Sequence, residues 1–154
     1  GFPSIIGAKI GNPDTPVVGF AGDGAFGISM NEMTAIGRSE WPGITMIIFR
    51  NYQWGAEKRN STLWYEDNFV GTELDLQVSF ADIAKACGVN GIQVRNMHEL
   101  TNELEKSIKK QMENGETTFI ELILNQELGE PFRRDAMTTP VPVAGINIKD
   151  MQHQ

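Results

Sequence analysis

Four short apolar runs divide this chain, and the polar segments between them take on a helical period. Residues 16–21 (PVVGFA) and 44–49 (ITMIIF) are apolar nearly throughout and have the length of a buried strand. Residues 91–95 (GIQVR) and 117–124 (TTFIELIL) supply two more strands. Strands covered on both faces and separated by helices predict a parallel sheet. Between them, residues 4–10 form a short helix ending at Gly11. Ser29-Met-Asn-Glu32 has the S-x-x-E spacing of a capping box, with Met30, Met33 and Ile36 on one face of the helix it opens. Trp41-Pro42-Gly43 breaks that helix. Ser79 opens another, with Ile83, Ala84 and Cys87 on one side and Gly88 as its stop. Asn96 caps a longer helix, whose apolar residues Met97, Leu100, Leu104, Ile108 and Met112 recur at near-helical spacing. Residues 51–78 show no period, and so long a structureless connection is usually functional. The expected fold is α/β, a parallel sheet sandwiched by helices over residues 1–124, followed by an extended tail at 125–154.

Composition narrows the function classes. With 154 residues, 40% of them hydrophobic, the chain can bury one ordinary core. Its formal net charge of −7 repels phosphate backbones and acidic lipids, which argues against a general nucleic-acid or membrane surface. No window approaches the roughly 18 to 20 apolar residues of a membrane span. A single cysteine, Cys87, allows neither an internal disulfide nor a thiolate metal cluster and fits a reducing cytoplasm. A metal here would be held by oxygen. The chain enters at Gly1 as if in the middle of a domain, which reads as a piece of a longer protein.

The candidate chemistry follows the first strand. Gly22-Asp-Gly24-Ala-Phe-Gly27 is a GxGxxG, the pattern a dinucleotide fold uses to approach pyrophosphate. That fold also wants an acid at the end of the second strand, and here the strand ends in Arg50-Asn51. An arginine there leaves NADP open through its 2′-phosphate. Asp23 points elsewhere, because a carboxylate beside a diphosphate is repulsive unless a divalent cation lies between them. The motif therefore asks for Mg²⁺ and a metal-bridged diphosphate. Asn51 follows the second strand as Asp23 follows the first, and the C-terminal ends of parallel strands form the usual ligand crevice.

This pairing, GDG at residues 22–24 and an asparagine 28 positions after Asp23, resembles the signature of the thiamin-diphosphate-dependent enzymes, over residues 1 to about 124. The resemblance implies that Asp23, the Asn51 side chain and the Gln53 backbone carbonyl bind Mg²⁺. It further implies that Gly24 and Ala25 offer N–H groups to the diphosphate, with Gly22, Trp54 and Gly55 completing the cofactor site. The family often has two asparagines in succession, and here Arg50 takes the place of the first. The loop after Asn51 and the stretch GEPFRRDAMTTPVPVAGI resemble the acetyltransferase branch close to acetolactate synthase. That branch implies conversion of sulfoacetaldehyde and phosphate to acetyl phosphate and sulfite. Lys58 and Arg59 are then candidates for the anionic substrate, with Arg133 and Arg134 a second basic pair. Trp54, Trp64 and Tyr65 are candidate walls of the pocket or of a subunit interface. The alternatives are an acetolactate-synthase-like or 2-oxoacid decarboxylase activity, or a non-catalytic diphosphate-binding or subunit-interaction module.

The family resemblance also implies a separate pyrimidine-binding domain from another subunit, which carries the activating glutamate. A homodimer or homotetramer is therefore expected, with negligible turnover by these residues alone. It implies, too, a strand ahead of Gly1, without which the sheet has an open edge that invites self-association. Cys87, His98 and His153 carry no assigned role, and Glu32 is first of all the capping-box acid.

Overall fold

All four expected strands form, and they lie in one parallel sheet. They are β1 (Val18–Gly22), β2 (Thr45–Arg50), β3 (Asn90–Val94) and β4 (Thr118–Ile123), in the spatial order β1-β2-β4-β3. The computed structural model describes residues 1–38 and 40–127. Six α-helices join the strands among these residues: α1 (Phe2–Gly11), α2 (Asp23–Gly27), α3 (Met33–Ile36), α4 (Gly55–Trp64), α5 (Phe80–Ala86) and α6 (Met97–Asn114). The α/β sandwich read from the apolar pattern is the observed fold.

Two apolar layers clamp the sheet. On one face Phe2, Ile6, Phe26, Met33, Ile36, Phe80 and Ala84 of the helices meet Met46, Ile48 and Phe119 of the strands. On the other, Leu100 and Leu104 of α6 pack on Ile47, Ile120, Leu122 and Val94. Burying each of these larger side chains contributes roughly 1.5–3 kcal/mol. Gly91 lets α5 close on β3, since a Cβ there would stand 1.9 Å from the Ala81 carbonyl oxygen. The β1–β2 register, Gly22 beside Phe49, places Asp23 and the Arg50–Asn51 pair at one rim of the sheet.

The structure departs from the pattern at four places. The glycine motif is itself helical from Asp23, and Ser29 makes no side-chain cap bond; a 3₁₀ turn over Met30–Glu32 joins α2 to α3 instead. Residues 55–64 of the predicted loop are the helix α4, which lacks a strong apolar stripe and so carried no period to read. β1 is not covered on both faces: Val18 and Phe20 stand exposed, because α6 meets this edge only at its foot, through Gln111. On α6, Met97 and Met112 are exposed, and Ser107 and Gln111 are buried in their stead. The Gln111 amide accepts from the Val17 N–H at 2.7 Å and donates to the Val17 carbonyl at 2.9 Å and to Thr45 Oγ1 at 3.0 Å. A polar side chain is thereby drawn inward to complete the backbone pairing at the foot of β1.

Candidate functional site

β1 ends at Gly22 in extended backbone, and the chain turns at once into α2, which carries Asp23 inward. Asp23 is only 4% exposed, a costly place for a carboxylate without partners. It has three. Oδ1 accepts from the Gly24 N–H at 2.8 Å, and Oδ2 accepts from the Tyr52 N–H at 2.9 Å and from Arg50 Nη1 at 3.4 Å.

Arg50, the last residue of β2, is buried as completely as the core. Its Nη2 donates to the carbonyls of Asp75 at 3.0 Å and Val78 at 3.4 Å, and Nε lies 3.7 Å from Glu121 Oε1. The guanidinium carbon lies over the rings of both Tyr52 and Phe80, at 4.3 and 4.2 Å from their centroids. This overturns the NADP alternative at that position, for a guanidinium with these partners does not face solvent to meet a 2′-phosphate. Glu121 of β4 is fully buried and accepts from Ser79 Oγ, the Phe80 and Ala81 N–H groups and Gln93 Nε2. Sequence reasoning gave Glu121 no role, and its signal was a lone acid inside the apolar run FIELIL beside a strand ending in arginine.

After Asn51 the backbone makes a tight turn, with Tyr52 at φ 58°. Such a left-handed residue, when not glycine, is held by its surroundings. Here the hold is the Tyr52 N–H on Asp23 and the ring on Arg50. Asn51 Oδ1 accepts from the Gln53 N–H at 3.4 Å. Gln53 pairs with Glu73 through an antiparallel bridge made by the Trp54 N–H to the Thr72 carbonyl and the Leu74 N–H to the Tyr52 carbonyl. That bridge leaves the Gln53 carbonyl outside it. The Gln53 side chain donates to the Gln126 carbonyl at 2.8 Å and accepts from Lys58 Nζ at 3.2 Å.

These turns enclose a cavity of about 590 Å³ at the C-terminal ends of β1 and β2. Gly22, Asp23, Gly24 and Ala25 line one side, and Asn51, Gln53, Trp54 and Gly55 the other, so all eight candidate cofactor residues meet there. Ile28, Phe49 and Leu124 add an apolar wall. Trp54 lies against Gly24, where a Cβ would come within 3.1 Å of the indole. Of the two basic candidates, Arg59 lines the cavity, while Lys58 is turned away into an ion pair with Glu73. Tyr65 is exposed elsewhere. The Trp64 side chain, Arg133, Arg134, His153 and the tail from residue 128 lie outside the described residues. Cys87 packs half-buried on the core, His98 faces Asn102 on the exposed side of α6, and Glu32 accepts from Asn31 away from the cavity.

Among the described residues no group of three or more histidine, cysteine or acidic side chains could hold a metal. A cation here would depend on amide and carbonyl oxygens beside the one carboxylate. Nor, among them, is any helix long and apolar enough to cross a membrane.

Residues 1–122 match the family model described as thiamine pyrophosphate enzyme, C-terminal TPP binding domain. Over all 154 residues the chain is 70% identical to the sulfoacetaldehyde acetyltransferase of Rhodobacter capsulatus and 68% identical to that of Roseovarius nubinhibens, covering 26% and 25% of those proteins. It thus spans about a quarter of the length of these relatives. A more distant match, 27% identical over 70% of this chain and 15% of the relative, is the mitochondrial acetolactate synthase catalytic subunit of Saccharomyces cerevisiae. Among solved structures, a thiamine diphosphate-dependent 4-hydroxybenzoylformate decarboxylase from Rhodococcus jostii superposes with a TM-score of 0.67 at 22% identity, covering 84% of this chain and 23% of that one. That likeness shows the fold. The match across residues 1–122, on a chain whose glycine turn and asparagine turn face each other over one cavity, shows that this chain belongs to the family of thiamine pyrophosphate enzyme C-terminal TPP-binding domains.

Proposed function

We propose that this chain is the diphosphate-binding part of a sulfoacetaldehyde acetyltransferase, holding thiamin diphosphate through Mg²⁺ and converting sulfoacetaldehyde and phosphate to acetyl phosphate and sulfite. The observation that carries the reading is 70% identity over the whole chain, where the acetolactate synthase match falls to 27% over part of it. The donor set fits the cation. Asp23 offers a carboxylate, Asn51 an amide oxygen and Gln53 a carbonyl outside its bridge, all hard oxygens and few enough to leave positions for phosphate and water. When bound, thiamin diphosphate supplies a carbanion that adds to a carbonyl and a ring that holds the negative charge which follows.

The chain's own residues bind, orient and exclude water. The glycines at 22 and 24 let the backbone come close to a diphosphate, and Ala25 has an N–H group at that rim, where the Gly24 N–H is held by Asp23 Oδ1. Ile28, Phe49, Trp54 and Leu124 keep the neighbouring wall apolar, which strengthens electrostatic interactions in the site. Among the described residues Arg59 is the cation that lines the cavity, where it can meet a sulfonate or phosphate. We place the working enzyme in the cytoplasm as a homodimer or homotetramer, with the activating glutamate on another subunit.

Calorimetry on the full-length protein tests the cofactor reading. Thiamin diphosphate should bind only with Mg²⁺, and Asp23→Ala should lower the affinity by about 100-fold or more, in the range lost with a buried charged partner. Binding that ignores both the cation and the mutation would sink the metal bridge. Sulfite and acetyl phosphate, rather than carbon dioxide, should appear when sulfoacetaldehyde and phosphate are supplied. Release of carbon dioxide from a 2-oxoacid would favour the decarboxylase or acetolactate synthase alternative. Cofactor binding without any turnover would favour the non-catalytic module.

A further inference from the structure

The Arg50 guanidinium lies entirely inside the protein, its Nε near Glu121 without a hydrogen bond, and one of its bonds ends on the carboxylate that faces the cofactor cavity. We propose that Arg50 is a positioning residue for the cation site: it holds the Asp23 carboxylate in the orientation that meets a divalent cation, while Glu121 balances its charge. This inference rests on the metal-bridged diphosphate reading. Asp23 alone is free to turn about two bonds. Oδ2 is gripped by the Tyr52 N–H and by Arg50 Nη1, so the unbound site already presents one arrangement. The guanidinium is held in place, because Nη2 is tied to the carbonyls of Asp75 and Val78 and the group packs on the rings of Tyr52 and Phe80.

A bare cation beside a metal site would oppose the metal. Glu121 removes that objection, since its carboxylate lies 3.7 Å from Arg50 Nε and is itself fixed by Ser79, Phe80, Ala81 and Gln93. The pair lends Asp23 a directed N–H while adding little net charge. Hydrogen-bonded partners of metal ligands are worth about 10- to 100-fold in metal affinity. Lysine keeps the charge but not the planar fork that reaches Asp23, Glu121 and two carbonyls together.

The test uses the full-length protein with Mn²⁺ as probe, free Mn²⁺ being read by electron paramagnetic resonance with thiamin diphosphate present. The wild type should bind Mn²⁺, and Asp23→Ala should not; absence of wild-type binding overturns the metal reading and this inference with it. Given wild-type binding, Arg50→Met should raise the Kd for Mn²⁺ by about 10- to 100-fold, with Arg50→Lys in between. The charge-balanced double variant Arg50→Met/Glu121→Gln should bind as weakly as Arg50→Met, because position rather than charge has been lost. A purely structural role predicts fewer competent sites at unchanged Kd. Should Arg50→Met fail to fold, Arg50→Lys decides, with a rise of at least about threefold expected for a lost fork geometry. Unchanged or tighter Mn²⁺ binding in the variants that fold overturns the inference and leaves the metal reading standing.

Discussion

Gly24 separates what the fold needs from what the site needs. A Cβ there would first meet the edge of Trp54, an indole that is 44% exposed. Gly24→Ala should therefore leave stability within about 1 kcal/mol of the wild type, as a substitution that first meets a partly exposed side chain. The added methyl would nonetheless stand between the cavity and the backbone that approaches a diphosphate. Thiamin diphosphate affinity should drop by about tenfold, the effect of losing roughly 1.4 kcal/mol of contact. Calorimetry beside thermal melting reads both quantities on one sample. A large fall in melting temperature with unchanged affinity would assign Gly24 to packing alone. That Asp23, Asn51 and Gly24 meet at one cavity was legible in the sequence because their pattern is local, an acid between glycines and an amide at a strand end. Glu121 was not, because its meaning lies in Arg50 and α5, brought to it only by the order of the strands.

At the scale of elements, the four strands and the caps at Ser79 and Asn96 were readable, since apolar runs and capping spacings are written in consecutive residues. Helix α4 was not, because its faces carry no strong apolar contrast and its start is fixed by the turn at Tyr52 and the bridge to Glu73. Gln111 shows the same limit of pattern. Its amide stands in for a strand neighbour at the Val17 N–H, which no periodicity announces. Gln111→Leu keeps the volume but leaves the Val17 N–H without this partner, while the Val17 carbonyl keeps the Thr45 N–H, and a half-buried N–H of that kind costs about 1–3 kcal/mol when unsatisfied. The variant should unfold at lower denaturant by about 2 kcal/mol with its slope unchanged, as expected for a lost native contact. Equal stability would mean that water replaces the amide at the foot of β1.

At the scale of the molecule, the sheet is unevenly covered, and the imbalance has a consequence. Helix α6 shields Ile47, Ile120 and Leu122, but the same face continues toward β1, which the helix meets only at its foot. There Phe20 is 72% exposed and stacks edge-on with the partly exposed Phe49, beside Val18. An apolar face next to an edge strand offers both buried area and unpaired backbone to a second copy. The 154-residue chain alone should therefore self-associate, and Phe20→Lys should shift it toward monomer. The fold should tolerate that change, because the side chain it replaces is already in solvent. Sedimentation velocity over a range of concentrations, with circular dichroism as a check on folding, distinguishes the cases. A wild-type chain that stays monomeric at high concentration would mean that the charge of −7 outweighs this patch. Association that persists in a folded Phe20→Lys variant would place the contact on another surface.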